Sequence, residues 1–303
     1  MEQKRFSWVP FYEELADKLL AYKSNRPELV AKVREAHQIA GVTLPKIESN
    51  NDNIPDIDPF TIFALFNRGK QGVPMRQAIC KGYKTVFDMV SDVPADFDGV
   101  PMYHYNQYCF YRYVGDSRRN DACFTYFWSL FERALSYSAN QVSKAALETT
   151  FEQVLQLSLV GQSKLTMALF HIRPSVFVNL DRNNLVLIER ELHKTVGTLS
   201  GAEYLALCAT VGEYAKSHLN ASLPAFSSMA YENRQQSTEA DDENRLTATA
   251  QPTGSSEAEK KDVSAMIPKN TILYGPPGTG KTYHTRDLCG GNYRRQNRGC
   301  GLR

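Results

Sequence analysis

The chain has 303 residues, of which 42 % are hydrophobic and 22 % are charged. These values are typical of globular domains and exclude a collagen, a coiled-coil rod and wholesale disorder. The 35 basic and 33 acidic residues give a formal net charge of +2, so any nucleic-acid site must be a local patch. No segment reaches the roughly 18 apolar residues of a membrane span, and the N-terminal segment lacks the apolar stretch of a signal peptide. The six cysteines form no C-x-x-C pair. We therefore expect a cytoplasmic protein with free thiols and no membrane partner.

Helical patterns dominate the first 232 residues. The first helix is predicted to begin near Pro10, and its apolar face then recurs at spacings of three and four residues. Pro27 begins a second helix that Gly41 ends, and Asp58-Pro59 has the order of an N-cap followed by proline at the first helical position. Further helices are predicted over residues 60–69, 75–89, 122–137, 143–157 and 201–219. Residues 1–232 are therefore predicted to form a mainly α domain, α+β at most.

An aromatic segment over residues 100–114 is ambiguous. Its rings partly alternate along the chain, which is compatible with one or two strands; the segment contains Tyr103, Tyr105, Tyr108, Phe110, Tyr111 and Tyr113, with His104 and Arg112 interleaved. Either the rings stack on nucleic-acid bases with Arg112 on a phosphate, or they pack into the core. For residues 175–180 the pattern indicates another short strand.

Two polar clusters have both a chemical and a structural interpretation. Asp96 and Asp98 suggest metal or acid–base chemistry, but with Gly99 they are also typical of a turn and helix cap. His171 and Asp181 suggest a catalytic pair, yet Asp181 is well placed to cap a helix that begins at Arg182. The cations Arg118, Arg119 and Lys144 are interpreted as a solvated surface. We assign no catalytic residue.

Residues 233–261 change the composition of the chain. This stretch is rich in Gln, Ser, Thr, Glu and Ala, and Leu246 is its one large aliphatic residue. Such a sequence buries too little apolar surface to offset the entropy of ordering. We therefore predict a flexible linker between a front domain (1–232) and a short back segment (262–303).

The back segment contains the most specific motif in the chain. Residues 270–282 match G-x-x-x-x-G-K-[ST] and follow a run of strand-forming residues, the setting of a phosphate-binding loop. Lys281 is predicted to reach the β- and γ-phosphates of GTP or ATP, and Thr282 to bind Mg²⁺. The predicted nucleotide contacts are Gly275, Pro276, Pro277, Gly278, Thr279, Gly280, Lys281 and Thr282.

The residues after the loop do not continue a nucleotide-hydrolysing domain. No hydrophobic strand ending in acidic residues follows, and residues 286–303 lose the helical pattern. We therefore expect only the incomplete start of an α/β P-loop domain, in a chain truncated by a frameshift or premature stop just after His284 or Thr285. Nucleotide binding should then be weak or absent, without hydrolysis.

The loop sequence NTILYGPPGTGKTYHT resembles that of McrB-like AAA+ proteins, the nucleotide-hydrolysing subunits of 5-methylcytosine-specific restriction systems. Four front segments also resemble the N-terminal region of these proteins: FSWVPFYEELADKLLAY, IDPFTIFALFNRG, VPADFDGVP and LTMALFHIRPSVFVNLDRNN. The resemblance implies GTP or ATP with Mg²⁺, a homo-oligomeric ring, a separate nuclease subunit as partner, and a front domain that recognises the DNA target. Two functions stay open: a truncated P-loop NTPase subunit of such a defence system, or a non-enzymatic DNA- or protein-binding module with a vestigial phosphate loop.

Overall fold

The computed structural model describes residues 5–69, 71–137 and 141–234, and this part of the chain is mainly helical, as predicted. Its helices are α1 (Trp8–Leu20), α2 (Arg26–Ile39), α3 (Pro59–Leu65), α4 (Val73–Val86), α5 (Ala122–Leu135), α6 (Gln141–Leu155), α7 (Gln162–Ile172), α8 (Arg182–Leu192) and α9 (Gly201–His218), followed by α10 over residues 223–234. The phosphate-loop residues 275–282, the linker from residue 235 onward and the back segment 262–303 lie outside the described residues.

The capping and ending residues predicted for three helices are confirmed. The Asp58 carboxylate caps α3 by accepting the backbone N–H groups of Phe60 and Thr61, each at 2.9 Å. At the start of α8, Asp181 accepts the Asn184 N–H at 2.9 Å. After α2, Gly41 adopts a φ of +64°, the left-handed conformation that commonly ends a helix. These residues set the helix boundaries because they satisfy backbone groups that the helix itself leaves unpaired.

The strand predictions are wrong for the described residues. Residues 100–114 are irregular, and their regular pairing is limited to an isolated parallel bridge between Arg68 and Tyr103. Residues 175 and 176 belong to a turn and residues 177–180 have no regular secondary structure, although Phe177 and Leu180 are buried. The helix predicted to reach Gly69 ends at Leu65.

The core is a cluster of aromatic rings between α1, α3, α5 and α7, which pack against one another. Trp8 and Tyr12 of α1 contact each other edge to face with ring centroids 5.0 Å apart, and Tyr12 also contacts Phe63 of α3. On the other side of α3, Phe60 packs against Phe131 of α5. The helix pair α2–α4 and the chain of contacts α5–α6–α9 surround this centre.

A buried polar network connects the core to the aromatic segment. Arg76 of α4 donates to the Phe66 carbonyl at 3.1 Å and to the Asn67 side chain, and its guanidinium lies 3.7 Å from the Phe97 ring centroid. The backbone carbonyl of Asn67 accepts the Tyr103 N–H at 2.7 Å. The network thereby fixes the start of residues 102–116, which form one wall of the site described next.

A candidate ligand-binding cleft beside α7

A cleft of about 730 Å³ lies between the irregular segment 102–116 and the N-terminal end of α7. Tyr111, Arg112 and Asp116 line one wall, and Ser163 and Lys164 line the other. Its volume lies within the range of small-molecule sites, roughly 300–1,000 Å³. The walls combine aromatic rings with cations, so the cleft suits a ligand that has both a flat apolar part and a negative charge.

Lys164 is the central cation of the cleft. Its ammonium donates to the backbone carbonyls of Cys109 at 2.6 Å and Leu159 at 3.2 Å, and it lies 4.3 Å from the Phe110 ring centroid. Burial lowers the pKa of Lys164 to about 8, and the neighbouring Cys109 and Asp58 oppose that shift. Within the described residues no carboxylate lies within ion-pair distance of it. Because an ammonium has three donors, one N–H of Lys164 has no protein acceptor in this part of the chain.

One of those carbonyls belongs to a residue with left-handed backbone. Leu159 has a φ of +70°, in the left-handed region that costs a non-glycine residue about 1–2 kcal/mol. Its carbonyl accepts a hydrogen bond from Lys164, and its side chain lines the cleft. Strained backbone of this kind clusters at ligand sites, where the surrounding structure holds it.

The N-terminal end of α7 adds unpaired backbone donors. Gly161 is the N-cap and offers no side-chain acceptor, and the first bond of the helix runs from the Leu165 N–H to the Gly161 carbonyl at 3.0 Å. The backbone N–H groups of Ser163 and Lys164 therefore meet no acceptor among the described residues. Such a helix end carries a partial positive charge, which reinforces the charge of Lys164.

On the opposite wall the charges are already paired. Arg112 donates to Asp116 at 3.2 Å and to the Ser158 hydroxyl at 3.3 Å, and Arg118 also binds Asp116. These arginines, Arg118 first, hold the pKa of Asp116 well below its ordinary value. The single carboxylate of this wall is thus compensated by two guanidinium groups, and the cleft has an excess of positive charge.

The aromatic residues of residues 100–114 divide into two groups. Phe110 and Tyr111 are buried, and the Tyr111 ring packs 4.8 Å from that of Phe124. Base stacking on Tyr111 is therefore wrong, because α5 covers the ring. Tyr105 is 45 % exposed and its ring contacts that of the exposed His104 at a tilted angle, while Tyr113 is half-buried at the cleft.

Asp96 and Asp98 hold the N-terminal segment in place and do not form a chemical site. The Asp96 carboxylate accepts the backbone N–H groups of Phe6 and Ser7 before α1, and Asp98 pairs with Arg5. Gly99 has a φ of +71° at a close approach to α10, consistent with the predicted turn. The described residues contain no group of three His, Cys, Asp or Glu that is able to hold a metal ion.

His171 does not form a catalytic pair with Asp181. It is fully buried, its Nε2 lies 3.0 Å from the Pro101 carbonyl, and burial lowers its pKa to about 3, so the ring is neutral. Asp181 instead caps α8 and accepts the Tyr231 hydroxyl. The capping interpretation is confirmed.

One buried ion pair escaped the sequence analysis. The Arg119 side chain is only 11 % exposed and donates to the fully buried Glu48 at 2.6 Å. The assignment of Arg119 to a solvated surface is therefore wrong. Its guanidinium also donates to the Arg112 carbonyl at 3.0 Å, which fixes the backbone of the cleft wall.

Fold and cleft together define a mainly helical domain with a positively charged cleft. Residues 8–233 match the family described as domain of unknown function DUF8425, and the chain belongs to that family. No curated protein and no solved structure matches it. Among the residues that the structure describes, no helix is long and apolar enough to cross a membrane.

Proposed function

We propose that the protein is a P-loop NTPase subunit of a modification-dependent restriction system and that its helical domain recognises DNA. The observation that carries this proposal is the cleft, which Lys164 and the end of α7 line together with the half-buried ring of Tyr113. Proteins that bind nucleic acid combine a cationic surface for the backbone with rings on which bases stack. Tyr113 replaces Tyr111 as the tyrosine ring of the cleft on which a base would stack.

The back segment supplies the second half of the proposal. Its motif over residues 270–282 has the glycines, the lysine and the threonine that hold GTP or ATP with Mg²⁺. The resemblance of both halves to McrB-like AAA+ proteins supports a ring of subunits that works with a separate nuclease. The alternative is a DNA- or protein-binding module whose phosphate loop is vestigial.

DNA binding by the full chain tests the first half. We expect short single-stranded and duplex oligonucleotides, with and without 5-methylcytosine, to bind at low salt, and the affinity to fall linearly on a log–log plot against salt concentration. Tyr113→Ala should weaken binding by about tenfold, as loss of one base stack does. The control Tyr126→Ala changes a partly exposed ring of α5 outside the cleft. A folded chain that binds none of these oligonucleotides at low salt would exclude DNA as the ligand.

Nucleotide binding tests the second half. Calorimetry with GTP and ATP in the presence of Mg²⁺ compares the chain with Lys281→Ala and with Lys261→Ala as the matched control. Binding that only Lys281→Ala removes assigns the loop as a nucleotide site. DNA binding without any nucleotide binding instead favours the binding module with a vestigial loop.

A further inference from the structure

We propose that the N-terminal end of α7 and Lys164 form a phosphate-binding subsite of the cleft. The inference rests on the proposed function to the extent that a DNA strand is one source of the phosphate. A free nucleotide is the other source, and both share the same chemistry.

The donors of this subsite lie together on one wall. Lys164 uses two of its N–H groups on the carbonyls of Cys109 and Leu159, which fixes the ammonium and leaves one donor unused. The backbone N–H groups of Ser163 and Lys164 are also unpaired within the described residues, and Gly161 leaves the helix end sterically open. A phosphate has several terminal oxygens and accepts such hydrogen bonds at a helix N-terminus.

A buried side chain on the opposite wall also lacks a partner. Tyr111 lines the cleft and is 3 % exposed, and its hydroxyl makes no hydrogen bond to the described residues. Buried polar groups are nearly always hydrogen-bonded, so an unpaired one requires a missing partner. The hydroxyl oxygen itself has almost no accessible surface, so a ligand oxygen bonds it only after the Tyr111 side chain shifts toward the cleft. The unpaired hydroxyl is an observation separate from the helix end.

The charges of the cleft select an anion. Lys164 has no carboxylate partner within the described residues, whereas the acidic Asp116 is already bound by Arg112 and Arg118. The nearby Asp58 is directed to the cap of α3, where it accepts two backbone N–H groups. A negatively charged group therefore gains a cation that nothing else neutralises. The volume of about 730 Å³ leaves room for a nucleoside attached to the phosphate.

Three variants separate the subsite from general effects on folding. Lys164→Gln removes the charge. Ser163→Pro removes one backbone donor, and proline is accepted in the first helical turn, as Pro27 in α2 and Pro74 in α4 show in this chain. The matched control Ser163→Ala keeps the backbone donor and removes only the hydroxyl. All variants are made in the full chain that carries Lys281→Ala, so that the phosphate loop does not contribute.

The probes are inorganic phosphate and a nucleoside monophosphate, measured by calorimetry, and a fluorescent single-stranded oligonucleotide, measured by anisotropy. We expect Lys164→Gln to weaken binding of each probe that binds by about tenfold or more, as loss of a charged hydrogen bond does. Ser163→Pro should weaken it by about threefold to tenfold, and Ser163→Ala should leave it unchanged. Circular dichroism establishes that each variant is folded.

The outcomes distinguish the two proposals. If the oligonucleotide binds and neither Lys164→Gln nor Ser163→Pro weakens it, the subsite is wrong and the DNA function stands. If only the monophosphate or inorganic phosphate binds, and Lys164→Gln weakens it, the subsite stands and DNA is not the source. Absence of binding by every probe overturns both. An unfolded Lys164→Gln variant leaves the comparison of Ser163→Pro with Ser163→Ala as the deciding measurement.

Discussion

Gly82 lies where α4 crosses the backbone of α2, and Gly82→Ala tests this crossing. A Cβ atom at this position would lie 2.1 Å from the Ala36 carbonyl oxygen and 2.8 Å from its carbon. Because non-bonded heavy atoms rest at about 3.5 Å, the helices must separate by about 1 Å. Overpacking against backbone costs about 3 kcal/mol or more, and the helix propensity of alanine returns about 1 kcal/mol. We expect a net loss of about 2 kcal/mol in the free energy of unfolding and a Tm lower by about 4–8 °C.

Gly212→Ala in α9 is the matched control. The nearest atom to its added Cβ is the Leu223 Cδ2 at 4.0 Å, an ordinary contact. This variant gains helix propensity without a clash, and we expect it to be more stable than the natural chain by about 0.5–1 kcal/mol. Urea and thermal unfolding followed by far-ultraviolet circular dichroism compare the two. If Gly82→Ala unfolds at the same midpoint as Gly212→Ala, the close approach of α2 and α4 is refuted.

Two further predictions concern pH and proteolysis. Burial raises the pKa of Asp58 from 3.8 to about 6, so between these pH values the native state keeps a proton that the unfolded state has lost. The free energy of unfolding therefore falls by up to about 3 kcal/mol as the pH rises through this window. The urea midpoint of Asp58→Asn, which keeps the capping oxygen, should not change with pH in this way, and an unchanged pH dependence would contradict the prediction. Limited proteolysis should cut first between residues 233 and 261, because this polar sequence offers few apolar groups for burial, and an earlier cut within residues 57–69 would contradict the domain assignment.

Local signals in the sequence predict the helix ends, but a helix that is buried on all sides has no apolar periodicity by which to predict it. Asp58-Pro59 and Asp181 act through hydrogen bonds to residues two or three positions away, so their roles are visible in the sequence. By contrast α7 was not predicted, because every residue from Leu165 to Ile172 is buried and the helical period disappears. In the segment 100–114 the rings suggested strands, but ring burial does not require a ladder. The Phe110 N–H bonds the Thr61 hydroxyl at 3.1 Å instead.

The candidate site could be predicted only in part. Arg112 and Tyr113 were recognised from the mixture of rings and cations in one segment. Lys164, the central cation, lies about fifty residues further along the chain and carries no motif of its own, since its role depends on two backbone carbonyls that the fold brings to it. The sequence signal for the start of α7, which carries Lys164, is weak: Gly161 precedes an apolar run, as at many helix starts.

The contacts of Arg5 bring the two ends of the helical domain to the same place. Its guanidinium bonds the Ser228 hydroxyl of α10 at 2.9 Å and pairs with Glu232, so the chain enters and leaves the domain side by side. A domain with adjacent ends is readily inserted into a surface loop of another protein, since the host chain need not span the domain. These ion pairs are largely exposed and each stabilises the fold by at most about 1 kcal/mol. A mechanical pull applied between the two ends would therefore break the Arg5 contacts first, and α10 would leave only later, because its Phe226 is buried in the core.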